Sequence, residues 1–110
     1  MNTVEVRTRR QQELARRIRE RELNDMRAVL NTVEGRRFVW RLFDKAGIFR
    51  TSFTGNSTTF FNEGQRNLGL LFFNDMMQTM PEAFALMQRE QAELQIENNV
   101  IMEEDDDYAD

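Results

Sequence analysis

The large apolar residues of this 110-residue chain are concentrated in its middle. Residues 33–87 contain the single Trp and all nine Phe residues, whereas residues 1–22 contain only six apolar residues. Because burial of apolar surface drives folding, this middle half must supply the core. A core built from so few residues seldom makes a very stable isolated domain, so oligomerisation or docking onto a partner is expected.

The two halves of the chain carry opposite charge. Residues 1–50 contain thirteen cations and seven acids, a net charge of +6, and residues 51–110 contain two cations and twelve acids, a net charge of −10. Together they give the formal net charge of −4. Such a dipolar chain favours either head-to-tail self-association or two different partners.

Cysteine and histidine are both absent. The chain therefore lacks a disulfide framework, a thiolate nucleophile, a Cys/His zinc site and the commonest general acid–base group at neutral pH. No apolar signal core and no apolar run of about 18 residues is present, so we expect no membrane partner and synthesis in a cytoplasm.

The charged N-terminal segment, residues 1–30, predicts a basic helical arm. Its Arg, Gln, Glu and Leu residues favour helix, and no Gly or Pro interrupts them. A thin apolar stripe begins at Leu14 and Ile18 and thickens toward Leu30, which indicates an arm that is solvated at its tip and docked at its base.

Residues 31–88 predict a helical core. Asn31 and Glu34 have the spacing of a capping box for a helix that ends at Ala46, before Gly47. A loop over 47–57 separates this helix from a second one at about 59–79, capped by Ser57 or one of the two threonines that follow it. Two glycines in the second helix, Gly64 and Gly69, indicate close approach of another backbone.

The C-terminal segment begins with a second capping-box spacing, between Thr79 and Glu82, with Pro81 in the first turn. Residues 89–102 predict a polar helix and residues 103–110 a solvated acidic tail. The predicted fold class is all-α: a small helical hairpin or bundle with extended polar helical arms at both ends.

The arginines of the arm have two interpretations. They suit contacts with phosphates or with an acidic partner. Acids interrupt the run and no aromatic side chain is present to stack on bases, which favours a solvated or protein-docking helix over direct nucleic-acid contact. The residues concerned are Arg7, Arg9, Arg10, Arg16, Arg17, Arg19 and Arg21.

No catalytic or metal site can be assembled from the sequence, and no cofactor is expected. Glu63 and Asp75 are twelve residues apart on one predicted helix, about 18 Å along its axis, too far for a glycosidase pair. The acidic tail lacks the ligand spacing of a calcium loop, and no phosphate-binding glycine motif is present. The dense Met and Phe residues at 72–87 suit either the core or an oligomer interface.

Residues 34–72 resemble a known family. The pattern GRRFxWRLxxKAGxFRxSFTGNSxxxFNEGxRNxGL is similar to the central segment of small tailed-phage (podovirus) virion structural proteins, a family first named from a Bordetella phage. The signature residues are Gly35, Arg36, Arg37, Trp40, Arg50, Ser52, Gly55, Asn56, Ser57, Asn62, Glu63, Gly64, Arg66, Asn67 and Gly69. The resemblance implies no catalytic residue. Four signature residues are central arginines, the cations nearest the apolar centre: Arg36, Arg37, Arg50 and Arg66. Glu63 is the predicted bidentate partner of one of them.

The resemblance implies a minor structural protein, not an enzyme, inside the phage particle or near its portal or tail vertex. Its expected partners are further copies of itself and other virion proteins, such as portal, capsid or internal core proteins. It would be located in the virion, and in the host cytoplasm during assembly. Two alternatives stay open: a protein that contacts packaged DNA during genome packaging or ejection, and a transient assembly factor.

Overall fold

Four α-helices make up the described part of the chain. The computed structural model describes residues 2–50 and 58–109, with side chains up to Glu104. The helices are α1 (Thr3–Leu30), α2 (Val33–Ala46), α3 (Thr58–Thr79) and α4 (Glu82–Ala109), and these residues contain no strand. The predicted all-α fold with helical arms is confirmed.

Helix α1 begins at a capped N-terminus and ends in the core. The side chain of Asn2 accepts a hydrogen bond from the backbone N–H of Glu5 at 2.8 Å, which satisfies one of the first free donors of the helix. Most of the helix is exposed, but Met26 is half-buried and Leu30 is fully buried. The base of the arm therefore belongs to the core, while its tip is solvated.

The cap of α2 differs from the sequence prediction. Thr32, not Asn31, is the N-cap, and its hydroxyl accepts a hydrogen bond from the Gly35 N–H at 2.9 Å. Asn31 instead ends α1, and its N–H donates to the Ala28 carbonyl. The predicted capping box between Asn31 and Glu34 is therefore wrong. Thr32 has the extended backbone angles of an N-cap, whereas Asn31 has helical ones.

Gly47 ends α2 as predicted. Its φ angle of 76° lies in the left-handed region, and its N–H donates to the carbonyls of Phe43 and Asp44. The chain then turns through Arg50. The remainder of the predicted 47–57 loop, and the predicted cap at Ser57, lie outside the described residues.

The junction between α3 and α4 also differs from its prediction. Thr79 is the last residue of α3 and is buried, so it does not cap α4. The first N–H groups of α4 donate to the carbonyls of Met80 and Pro81 instead. The Thr79–Glu82 capping box is therefore wrong, because the backbone of α3 continues to Thr79.

Helix α4 is longer than the predicted polar helix. It continues through the acidic run to Ala109, so the segment that the sequence indicated as a tail is helical. No Gly or Pro interrupts the hydrogen-bond ladder after Glu82.

The core is small and lies where all four helices approach one another. Phe43 and Leu30 are among its largest fully buried side chains. Aromatic rings extend it outward, with Trp40 stacked on Phe49 at a centroid distance of 5.4 Å and on Phe84 at 6.3 Å. The buried apolar residues are Leu30, Val39, Phe43, Ile48, Met76, Ala83 and Met87.

The two long helices leave the core at opposite ends. Arg19 contacts Asp75 and Arg27 contacts Thr79, so α1 is parallel to α3, whereas Phe43 contacts Phe73 and Ala46 lies beside Gly69, so α2 is antiparallel to both. The contacts of Arg36 with Glu90 and of Trp40 with Phe84 make α4 antiparallel to α2. Helices α1 and α4 therefore run in the same direction. A 28-residue helix is about 42 Å long, so the 83 Å length of the molecule requires the free ends to project in opposite directions.

None of the described helices has a stretch apolar enough to cross a membrane.

Candidate functional site

A nearly buried ion pair joins α2 to α4 and to the end of α1. The Nε of Arg36 lies 2.6 Å from Oε1 of Glu90, and its Nη1 donates to the Leu30 carbonyl at 2.9 Å. Both charged side chains are at most 16% exposed. One guanidinium thus satisfies a carbonyl at the end of α1 and a carboxylate on α4, which orients three helices around the core.

Two further arginines attach α1 to α3. Arg19 donates from Nη2 to Oδ1 of Asp75 at 2.6 Å and to the amide oxygen of Gln78 at 3.2 Å. Arg27 donates to the Thr79 carbonyl. Arg19 was predicted as a phosphate or partner contact, but within the chain it holds the arm against the core.

Ion pairs within the arm occupy two more of its arginines. Arg16 contacts Glu13 at 2.6 Å and Glu20 at 2.5 Å, and Arg17 contacts Glu13 at 3.0 Å. The hydrogen bonds from Arg16 and Arg17 lower the pKa of Glu13 to about 2. Glu13 therefore stays ionised at any neutral or mildly acidic pH, and these pairs support the exposed helix.

The other candidate arginines of the arm remain available. Arg7, Arg9, Arg10 and Arg21 are exposed and form no ion pair with any described residue. Leu14 and Ile18, which were predicted to begin the core stripe, are 60% and 44% exposed. The arm therefore presents cations and apolar side chains together.

An apolar groove opens between α2 and α3. It encloses about 340 Å³, and its floor includes Phe43 and Gly69. Leu42, Leu68 and Phe72 form its rim and are each at least half exposed. The Met and Phe residues at 72–87 were predicted to belong either to the core or to an oligomer interface. In the structure Met76 and Met87 are buried in the core, whereas Phe72 is exposed.

The signature residues are distributed over α2, the turn after it and α3. Those on α2 and its turn are Gly35, Arg36, Arg37, Trp40 and Arg50, and those on α3 are Asn62, Glu63, Gly64, Arg66, Asn67 and Gly69. Ser52, Gly55, Asn56 and Ser57 lie outside the described residues. The signature thus covers the two helices that line the groove.

Two of the four central arginines of the signature, Arg36 and Arg50, bind backbone carbonyls within the fold. Arg50 donates to the Asp44 carbonyl at 2.5 Å and closes the turn after α2. The Nε of Arg66 is buried and has no hydrogen-bond partner in the described part of the chain. Glu63 forms no ion pair there, so its predicted pairing with a central arginine is wrong.

The predicted close approach of helices at two glycines is confirmed at one of them. A Cβ on Gly69 would lie 2.6 Å from Cβ of Ala46, whereas a Cβ on Gly64 would meet nothing within 4 Å. A third glycine, Gly35, has the tightest surroundings, because a Cβ there would lie 1.8 Å from the Val29 carbonyl oxygen. The turn between α1 and α2 therefore requires glycine at position 35.

The carboxylates that complete these contacts were not identified from the sequence. Glu90 and Asp75 are 54 and 56 residues from their arginine partners, and no local pattern connects them. Within the described residues, no three acidic side chains are placed to hold a metal ion.

Comparisons with known proteins match the same central region. Residues 26–89, more than half of the chain, match the family described as Bbp19-like phage protein. Searches of curated proteins and of solved structures found no match. The matched range begins at Met26 on α1 and ends at Arg89 on α4, so it covers the core, the groove and the signature but neither free arm. The chain belongs to the Bbp19-like phage protein family.

Proposed function

We propose that this chain is a minor structural protein of a tailed-phage particle, acting through protein–protein contacts and not through catalysis. Exposed apolar surface carries the proposal. Eighteen large apolar side chains among the described residues are more than 40% exposed, against six that are buried in the core. Large exposed apolar patches mark interaction sites, and a thin core gains stability when a partner covers it.

The groove between α2 and α3 supports the same proposal. Its lining is mostly apolar, with Lys45 and Gln65 the polar residues in it. Its described lining offers no nucleophile–base pair and no convergent carboxylates, which hydrolytic chemistry would need. A side chain or helix from a larger virion protein, such as a portal, capsid or internal core protein, fits such a surface.

Mass spectrometry of purified phage particles tests this proposal. After washing that removes assembly intermediates, we expect the chain in mature particles at a fixed copy number relative to the portal protein. Its absence from mature particles would contradict a structural role. Presence in precursor particles alone would identify a transient assembly factor instead.

A second candidate function, contact with packaged DNA, is favoured by the unpaired arginines of the arm. Arg7, Arg9, Arg10 and Arg21 are free to neutralise phosphates. Each phosphate contact contributes a slope of about −0.9 in a plot of log affinity against log salt, so four contacts give a slope of roughly −3.6. Titration of duplex DNA at several salt concentrations measures this slope, and the same titration with residues 1–22 deleted should abolish it. Absence of binding at low salt would remove this candidate.

A further inference from the structure

The two free arms carry complementary faces. On α1, a basic arm face consists of Arg7, Arg10, Leu14, Arg17, Ile18 and Arg21, which share one side of the helix by their spacing of three, four and seven residues. All six are exposed, and they lie on the side away from Leu23, Met26 and Leu30. Arg17 also pairs through its Nε with Glu13 of the same helix, and its side chain is 69% exposed. This face has positive charge around an apolar pair.

On α4, an acidic arm face has the converse composition. It consists of Glu93, Ile96, Glu97, Val100 and Glu104, which are all exposed and share one side of the helix. Ile96 and Val100 are 65% and 47% exposed. From Glu90 to the end of the chain there are nine acids and no cation. The face is therefore an apolar pair surrounded by negative charge.

The arms of one molecule cannot meet, because they project from opposite ends of its 83 Å length. A second copy can bring them together. We propose that the basic arm face of one copy docks on the acidic arm face of another, with the two helices antiparallel. The proposal deepens the proposed function by naming one partner of its interaction surfaces, a second copy of this chain.

The order of residues on the two faces favours the antiparallel arrangement. When Leu14 is set beside Val100 and Ile18 beside Ile96, three pairs of opposite charge fall at the same heights along the helices: Arg10 with Glu104, Arg17 with Glu97, and Arg21 with Glu93. In the parallel alignment of the same apolar pairs, Arg10 lies beside Ala92 and Arg7 beside Arg89. Opposite charges in register attract and fix alignment, whereas like charges repel.

The direction of the helices then determines the symmetry of the contact. Since α1 and α4 run in the same direction within one chain, an antiparallel contact requires the second chain to be reversed. A two-fold axis across the long dimension does this, and it forms the arm contact twice. Phosphate backbones offer no apolar counterpart to Leu14 and Ile18, so an amphipathic acidic helix fits the basic arm face better than DNA does.

Sedimentation velocity on the purified full-length chain tests the proposal. We expect a dimer whose dissociation constant rises with salt, since the contact is electrostatic at its edges. The triple substitution Arg10→Glu, Arg17→Glu, Arg21→Glu should weaken dimerisation by on the order of 100-fold, because six favourable pairs become repulsive. The triple substitution Glu93→Arg, Glu97→Arg, Glu104→Arg should have the same effect. Circular dichroism checks that the helices persist in both variants.

Mixing the two triple variants gives the decisive result. Each variant repels itself, but the mixed pair has attractive charges in both arm contacts, so a heterodimer should form. The matched control is Arg9→Glu, Arg37→Glu, Arg41→Glu, which makes the same change of net charge at exposed positions outside the groove and both arm faces and should leave the dimer intact.

Three outcomes would overturn the arm contact. They are a wild-type chain that stays monomeric at low salt and high concentration, a mixture that stays monomeric, and a control that dissociates as much as the arm variants. A basic-arm variant that loses DNA binding while its association state is unchanged would also overturn it. A monomeric chain that is present in mature particles would reject the arm contact and leave the proposed function standing, so the two proposals can fail separately.

Discussion

Replacing Glu90 by alanine should lower the free energy of unfolding by about 3 kcal/mol. The substitution leaves the Arg36 guanidinium nearly buried without its carboxylate, and removal of one partner of a buried ion pair typically costs about 3–5 kcal/mol. We expect the low end of this range because both side chains keep slight exposure and Arg36 keeps the Leu30 carbonyl as an acceptor. Urea denaturation followed by circular dichroism, at one fixed protein concentration, measures the change.

A double-substituted variant separates the ion pair from simple packing. Arg36→Met with Glu90→Leu removes both charges while keeping apolar volume, so it should lose less stability than the two single substitutions together, with a coupling of about 1–3 kcal/mol. Arg37→Ala is the matched control, since Arg37 is exposed beside Arg36 and forms no ion pair with a described residue. We expect it to change stability by less than about 0.5 kcal/mol. Equal effects of Glu90→Ala and Arg37→Ala would show that the buried pair does not stabilise the fold.

Replacing Gly35 by alanine should destabilise the protein by about 2–3 kcal/mol. The new methyl group would lie 1.8 Å from the Val29 carbonyl oxygen, and this neighbour is backbone that cannot rotate away. The turn between α1 and α2 would have to open, and overpacking of this kind costs about 1–3 kcal/mol or more. Thermal unfolding should show a decrease in Tm of about 8 °C or more.

The two glycines of α3 provide comparison variants for this substitution. Gly64→Ala meets nothing within 4 Å and should stabilise the protein by about 0.5–1 kcal/mol, since alanine favours helix over glycine. Gly69→Ala would place a methyl group 2.6 Å from Cβ of Ala46, which moves only with the α2 backbone, so it should destabilise the protein as well, but less than the 1.8 Å approach at Gly35. If Gly35→Ala were as stable as the wild type, the close approach of α1 and α2 at this turn would be contradicted.

Much of the fold could be predicted because its signals are local. The end of α2 at Gly47 follows from a residue that tolerates a positive φ angle, and the bounds of α3 follow from the polar residues that precede it in the sequence and from Pro81 after it. The capping residues at the starts of α2 and α4 were harder to predict, because several neighbouring polar side chains could each cap the helix. At α2 the choice between Asn31 and Thr32 depends on backbone angles that the sequence does not specify.

The candidate contacts between helices could not be predicted in the same way. Arg36 is one of the four signature arginines for which Glu63 was the predicted acidic partner. The true partner of Arg36 is Glu90, which α4 brings to it across 54 residues of sequence. Any of twelve acids in the second half of the chain could have paired with it, and only packing of α2 against α4 selects one.

The sequence by itself determined that the chain is helical, that its core lies in the middle, that its ends have opposite charge, and which family it resembles. These properties depend on residue identity and short spacing along the chain. Only the tertiary structure decided that the arms project in opposite directions, and that Arg19 is bound to Asp75 while Arg7, Arg10 and Arg21 form no ion pair with a described residue. The physical reason is that helix direction and pairing follow from side chains distant in sequence that share one small core, which no local pattern encodes.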